Sequence, residues 1–540
     1  MQVKTLPSER SQWRRLGVEL ARAFCQLNTL SGLLAAVAFA LAVSLAIDSL
    51  TWPLGNDQAI FTIAGYAILD GGVPYTNAWD LKGPLTYYVY AFASALFGRN
   101  EIAIRILDLA IVLSFSWYLR RIVLRLTGCN SFGANFAVIL FALSYFTGGF
   151  WQTAQPDEWG GMLILAVVSM LVYPPWGARR SMAAVGAILA IATLLKPTYL
   201  IFLPLPLLYP VVGQNHQAYR LLPLVSCVLT YFAVVAVSMI AMLRSVSSVE
   251  DLIDVLYFLS STYSPLDKRH PISEISTLPL TLFQLGLLIP YLLTPIGIWV
   301  IYRSGHFRLA GLMAAWFALS LLSIIIQGAY LVYHFLPATV SAATTLGYSW
   351  ALVSNRLKVL NLRLLWSAAA ALVVASTVLA PLDSTDSLWA PHHLETLFDS
   401  FTWPRYLLGL ETKDQHIARI TGEWIKLKKV ADYIAGRSRA DDRVLAWGFE
   451  VGLYVLSNRR PPTRFGLNYG LQSEGPLKTK YRQIFMEEVK GIPPLYITID
   501  CDDGECGRIP SRGFPEFSQF LSSRYKLERR LDRFEIWVRR

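Results

Sequence analysis

The chain has 540 residues, 54% of them hydrophobic and only 16% charged, and its mean hydropathy is +0.42. That balance excludes an ordinary soluble globule and a disordered chain, and it demands many membrane spans. The formal net charge of +11 would suit nucleic acid, but Lys and Arg gathered in cytoplasmic loops account for it in a membrane protein; no nucleic-acid partner is expected.

Residues 1–28 carry Arg10, Arg14, Arg15 and Arg22 and lack a small-residue cleavage site, so they read as a retained cytoplasmic segment rather than a signal peptide. Apolar windows near the length of a span follow at about 29–49, 103–124, 132–150, 159–174, 181–195, 197–212, 221–243, 278–302, 309–327, 330–351 and 363–382. With the N-terminus inside, the inside loops hold Arg120, Arg121 and Arg125; Arg179 and Arg180; Arg220; Arg303 and Arg308; and Arg356, Lys358 and Arg363. Every one is basic, as the positive-inside rule asks. Pro84 to Phe97 is also apolar, but it is short for a span and has Gly at both ends. Counting it would put the basic loops outside, so it reads as a helix lying at the outer interface. The transmembrane part is thus expected over 29–382, with a first external loop at 51–102 and a long external loop at 244–277.

From 383 to 540 charge density rises and the long apolar runs stop. A helical run at Ile417–Ile434, a short strand Val444–Trp447, a helix Glu450–Leu456 and strands Leu495–Ile499 and Phe534–Val538 alternate. This predicts a small soluble α/β domain with a partly parallel sheet, large enough for its own core and, after eleven spans, outside. The fold class expected is therefore a polytopic α-helical membrane protein with a C-terminal α/β domain. The five cysteines are scattered and give no framework. Cys501 and Cys506 flank a tight acidic turn that suits a disulfide on an outer face; a metal site there would need further ligands, and none is evident. No Gly-rich phosphate loop follows Val444–Trp447, so the tail reads as an acceptor-recognition or structural domain.

The first external loop is the most informative segment. It reads Asn56-Asp57-Gln58, then Gly71-Gly72-Val73-Pro74-Tyr75, then Asp80-Leu81-Lys82-Gly83-Pro84. Ionisable groups at a bilayer edge are costly to desolvate and point to function. Asp57 heads a helical-looking run, where its charged form is favoured and suits a general base; a helix cap is the plainer alternative. The ordered series Asp57, Gly72–Tyr75, Trp79–Leu85, Leu96–Gly98 and Arg105 resembles the family-C glycosyltransferases (GT-C), in the branch that includes bacterial relatives of the protein O-mannosyltransferases and the lipid A aminoarabinose transferase. The resemblance covers residues 30–350 well and the tail loosely. Many members have Pro where Gly83 stands, and Gln58 follows Asp57 where some members have an Asp-Glu pair, so a lone catalytic Asp is implied.

The resemblance implies an inverting transfer of a sugar from a polyprenyl-phosphate carrier at the outer membrane interface. Asp57 would take the proton from the acceptor hydroxyl, and the leaving phosphate would need cations. The candidates are Lys82, Arg105 and Lys196, with the cluster Lys268, Arg269 and His270 as a further option; the acid Asp80 is a possible site residue beside Lys82. For Arg105 the alternative is an anchor that snorkels to headgroups. Asp157 and Glu158 match the family's second acidic motif. They would orient the acceptor or hold a divalent cation, unless they merely open the next helix; no cofactor is required by the sequence. Tyr330 and His334 stand where members carry groups near the lipid phosphate, whereas Tyr333 suits an aromatic belt.

The expected protein is therefore a multi-pass enzyme of a bacterial cytoplasmic (inner) membrane, with active site and tail on the periplasmic or extracellular side. Its acceptor would be an envelope glycolipid, a polysaccharide or a protein hydroxyl. A transporter or flippase of lipid-linked sugar and a non-catalytic envelope assembly factor are the other classes. Paired broken helices repeated between two halves, as a transporter would show, are not evident.

Overall fold

A computed structural model of the chain describes residues 30–128, 130–212, 221–263, 278–328, 330–356, 373, 403–501 and 513–540. The 1–28 segment, Lys268, Arg269, Cys506 and all of the 363–382 window except Val373 lie outside these residues.

The first helix, α1 (Leu30–Asp48), ends in a short 3₁₀ turn, and the chain then bends at Trp52-Pro53-Leu54-Gly55. Pro53 has no N–H to donate and cannot extend a helix. α2 (Asn56–Leu69) leaves at 51° to the helix before it. α3 (Pro84–Phe97) has the bounds the sequence suggests, with Pro84 at its first position and Gly98 just past its end at φ 88°. There follow α4 (Ile102–Leu126), α5 (Ser131–Phe146), α6 (Pro156–Val172), α7 (Ala178–Leu195), α8 (Leu221–Leu243), α9 (Val246–Phe258), α10 (Leu288–Arg303), α11 (Phe307–Gln327) and α12 (Leu336–Arg356). α7 packs along α8, and α12 along α5 and α10. Where α5 crosses α12, a Cβ on Gly133 would strike the Gly347 carbonyl. Small residues bring membrane helices together in this way.

Among the described residues four helices (α4, α7, α8 and α11) are long and apolar enough to cross a membrane, or five if the bent pair formed by α1, its 3₁₀ turn and α2 is one span. Others of the eleven expected windows hold shorter or interrupted helices among the described residues. The 197–212 window is broken into 3₁₀ turns, Pro197–Phe202 and Leu205–Leu208, because Pro197, Pro204, Pro206 and Pro210 interrupt it. The 278–302 window is two helices, Leu278–Gln284 and α10. α5 and α6 have only 16 and 17 residues. The chain is nonetheless a membrane protein: α8 has a mean hydropathy of 2.3 with only 11% of that stretch buried, a surface suited to lipid and not to water.

Two expected elements are corrected. The 244–277 loop is not all loop, since α9 occupies its first part, with Ser245 accepting from the Ser248 N–H at its start. The single helix at Ile417–Ile434 is two, α13 (Lys413–Ile420) and α14 (Gly422–Ala435), parted at the extended Thr421. The rest of the tail is β1 (Val444–Trp447), α15 (Gly452–Ser457), α16 (Lys478–Gly491), β2 (Tyr496–Asp500), α17 (Pro515–Arg524), β3 (Tyr525–Leu531) and β4 (Phe534–Arg539). The strands form one sheet in the order β1-β2-β4-β3. β1 runs parallel to β2, and the other pairs are antiparallel, so the sheet is partly parallel as the alternation implied. Cys501 is disulfide-bonded.

The tail does not keep its core to itself. One buried cluster joins Phe61, Trp79, Tyr87 and Tyr90 of the 51–102 segment to Trp424, Trp447, Phe485 and Ile536 of the tail. Trp79 donates its backbone N–H to the Arg464 carbonyl at 2.8 Å. At the foot of α1, buried Asp48 accepts from the Trp52 indole at 2.7 Å and lies 3.5 Å from the buried His416 of α13. The tail therefore sits on the same side of the helices as the loop that carries Asp57.

Candidate active site

Asp57 stands in the first turn of α2, but Gly55 is the cap residue, and the Asp57 carboxylate is not spent on the helix end. It accepts from the Tyr333 hydroxyl at 3.0 Å and lies 3.7 Å from the Lys82 ammonium. About a third of its side chain is open (32%), so an incoming hydroxyl can reach it. Its neighbour Gln58 is completely buried and does the anchoring. Its carbonyl takes the Gly55 N–H at 2.5 Å, and its amide faces the carbonyls of Phe150, Trp151 and Thr153. An amide donates where a Glu at this position would only repel those oxygens. The departure from an acidic pair at 57–58 thus has a structural reason.

Lys82 and Lys196 converge. Their ammonium groups lie 5.3 and 5.5 Å from the centre of the same Tyr333 ring, within cation–π range. Lys196 follows the end of α7, where Pro197 stops the helix, and is held 2.7 Å from both Asp157 oxygens and by the Gln327 side chain. Tyr199 in turn donates to the Asp157 carbonyl. The loop bearing Lys82 is pressed against this end of α7: the Gly83 N–H donates to the Leu195 carbonyl at 3.1 Å, and a Cβ at Gly83 would meet the Leu194 carbonyl. Proline at this point would lose that bond and find no room. Tyr75 donates to the Lys82 carbonyl at 2.8 Å and Tyr87 accepts the Lys82 N–H at 3.1 Å, fixing the backbone from which the ammonium projects.

Asp80 is buried and accepts from Tyr87 at 3.0 Å. Burial pushes its carboxyl up from the ordinary 3.8 to about 6, against the nearby Lys82 charge, which lowers it. The folded chain therefore holds this proton more tightly than the unfolded one. The resulting penalty is absent below about pH 4 and complete above about pH 6, where it reaches roughly 3 kcal/mol. Asp80→Asn is expected to raise the thermal midpoint at pH 8 and leave it unchanged near pH 4. Equal midpoints for the two proteins at pH 8 would contradict the burial argument.

Other sequence candidates part company. Asp157 faces Lys196, but Glu158 turns into a second buried network: it accepts from Tyr145 at 2.6 Å and from the Gln155 N–H at 3.1 Å. The two acids do not share a ligand position. Among the described residues no group of three His, Cys, Asp or Glu is gathered for a metal ion. Arg105 is buried and does not snorkel; its guanidinium bonds Thr153 at 2.9 Å and the carbonyls of Phe150 and Pro53. It braces the two loops around Asp57. His334 is buried edge-on to Tyr333 at 4.7 Å. Tyr330 sits at φ 47° beside an apolar cluster of Leu and Phe.

Three participants escaped the sequence reading. Tyr333, assigned to an aromatic belt, is instead buried and holds Asp57. Gln327 closes the other end of the Lys196 pair and carries no charge to mark it. Asp108, buried in α4, accepts from Tyr145 and Trp159; an acid inside an apolar helix was the signal available for it.

The bent pair of α1 and α2, the 51–102 segment and a cation–carboxylate cluster thus meet at the ends of α6 and α7. Among solved structures the chain is similar to ArnT from Cupriavidus metallidurans bound to undecaprenyl phosphate, with 16% identity and a TM-score of 0.60 over 94% of this chain and 98% of that one. It is similar to the apo state of the same protein at 15% identity and a TM-score of 0.58, over 93% and 97%. An oligosaccharyltransferase from Archaeoglobus fulgidus matches at 12% identity and a TM-score of 0.43, over 86% of this chain and 69% of that one. No protein-family model matches the chain, and no curated protein matches it in sequence. The chain has the fold of ArnT over nearly its whole length.

Proposed function

We propose that the chain is an inverting glycosyltransferase that moves a sugar from a polyprenyl-phosphate carrier to a hydroxyl of an envelope glycolipid, polysaccharide or protein. The observation that carries this reading is the convergence of Lys82 and Lys196 on one Tyr333 ring whose hydroxyl holds the open Asp57 carboxylate. Asp57 is the base: with its carboxylate aligned by Tyr333 and partly open, it accepts the proton of the attacking hydroxyl. The two lysines face the departing phosphate, where charge develops and cations stabilise it most. Asp157 and Gln327 hold Lys196 in place, and His334 packs behind Tyr333. The fold shared with a protein seen bound to undecaprenyl phosphate supports that carrier class.

The eleven-span count, a periplasmic or extracellular position for the site and tail, and a bacterial inner membrane belong to the same reading. The basic inside loops and the packing of the tail on the Asp57 loop support it. A transporter is disfavoured because the charged cluster gathers at one end of the helices. Undecaprenyl phosphate added to the purified full chain is expected to be retained in native mass spectrometry and to raise its thermal midpoint. Retention no better than that of a neutral polyprenol would remove the phosphate site.

A further inference from the structure

A cleft of about 690 Å³ opens between the first external loop and the tail, at the far end of α2 from Asp57. Thirteen residue steps run from Asp57 to Asp70 at its rim, about 20 Å at the rise of an α-helix, and none of Asp57, Lys82, Lys196 and Tyr333 lines it. The cleft therefore does not belong to the Asp57 cluster. Its volume is that of a small-ligand site, and its lining is unusual in charge: Arg99, Arg443, Arg459, Arg460 and Arg464 face only the carboxylates Asp70 and Glu488.

The arginines are unequally compensated. Arg464 has two carboxylates, Asp251 and Glu488, and needs nothing more. Asp70 is shared by Arg99 and Arg460, with Arg460 at 2.9 Å and more than half exposed. Arg459 bonds to Ser438 and to backbone carbonyls, with no carboxylate among its partners in the described residues. Among the described residues the Arg443 guanidinium has one long hydrogen bond, 3.5 Å to the Pro461 carbonyl, with the Asp70 charge nearby. A parallel backbone bridge pairs Arg443 with Arg460, so two guanidinium groups are set side by side. Like charges placed together on paired strands are destabilising, and burial followed by the neighbouring Arg460 charge lowers the Arg443 pKa. The forks of Arg443 and Arg460, which have one partner each among the described residues, match phosphate or carboxylate oxygens in bidentate geometry.

We propose that this cleft binds an anionic saccharide carrying phosphate or carboxylate groups, a stretch of the acceptor held one helix length from the reacting hydroxyl. The acceptor role rests on the transferase reading, but binding itself does not. The cleft and the reaction site share rigid parts: Asp70 ends the helix that Asp57 begins, and Arg464 is bonded through its carbonyl to Trp79 of the Lys82 loop. An extended chain seated here would leave a neighbouring sugar to reach Asp57.

The test is titration of the full chain in detergent with hexagalacturonate, and with maltohexaose as the neutral control. The charged hexamer is expected to bind, to weaken as salt rises, and to bind equally well to Asp57→Asn. The double variant Arg443→Gln/Arg460→Gln should lose about tenfold or more in affinity. Asp70→Asn, which frees two arginines without removing one, should tighten binding several-fold and keeps the proposal testable if the double variant fails to fold. Equal binding of both hexamers, or of hexagalacturonate to all variants, would overturn it. So would uptake of short-chain phosphatidylglycerol in place of hexagalacturonate, which would make the cleft a headgroup site. Absence of transfer with binding intact would instead count against the transferase reading alone.

Discussion

Asp57→Asn is expected to lower turnover by about 10²–10⁴-fold, the usual contribution of a positioned base, with donor affinity little changed. The amide keeps the size of the carboxylate and its carbonyl can still accept from Tyr333, which now donates at 3.0 Å. It cannot take a proton. The loss of the negative charge also leaves Lys82, 3.7 Å away, less compensated, so donor phosphate should bind as tightly as before or slightly tighter. A fall in kcat with an unchanged donor KM is therefore the signature of this variant. Near-normal kcat would remove Asp57 as the base and return it to a role in positioning the Lys82 loop.

Lys196→Ala has the second large effect, and it has two parts. Asp157 is buried with Lys196 as its charged partner, and stripping the cation from such a pair costs about 3–5 kcal/mol because the remaining charge is left without water. The variant should be markedly less stable in detergent and should lose donor affinity by at least about tenfold. Lys196→Met combined with Asp157→Asn separates the two parts. Both charges are gone, so stability should largely return while donor affinity stays low. Recovery of donor affinity in the double variant would show that Lys196 only neutralises Asp157.

Much of this site was legible in the chain because it depends on local chemistry. Gly83-Pro84 at one end and Gly98 at the other delimit α3, and Lys196-Pro197 marks the end of α7 where an apolar run is interrupted. The strands Val444–Trp447 and Phe534–Arg539 show as apolar runs between polar turns. What was hidden depends on long-range contact. Tyr333 lies 276 positions from Asp57, and nothing in its neighbourhood separates a tyrosine that holds a carboxylate from one that faces headgroups. Arg105 has the composition of an anchor, yet its partners Pro53, Phe150 and Thr153 come from two other loops. Glu158 adjoins Asp157 in sequence but projects from the helix in another direction, into the Tyr145–Asp108 network. Breaks inside the windows were hidden for a related reason: hydropathy registers apolar length, and it does not register the prolines that turn 197–208 into 3₁₀ helix. The shared core of loop and tail was hidden too, because burial between segments far apart in the chain, such as Trp79 and Trp447, leaves no local period.

The most direct test is sugar transfer by the full chain in proteoliposomes, using a panel of radiolabelled polyprenyl-phosphate sugars with an envelope extract as acceptor and following movement of each donor across the bilayer. Label passing from one donor to an acceptor, with that donor remaining on its own leaflet, is the result expected of a transferase with Asp57 as base. Donor crossing the bilayer with no label on any acceptor would contradict it and make the chain a carrier of lipid-linked sugar.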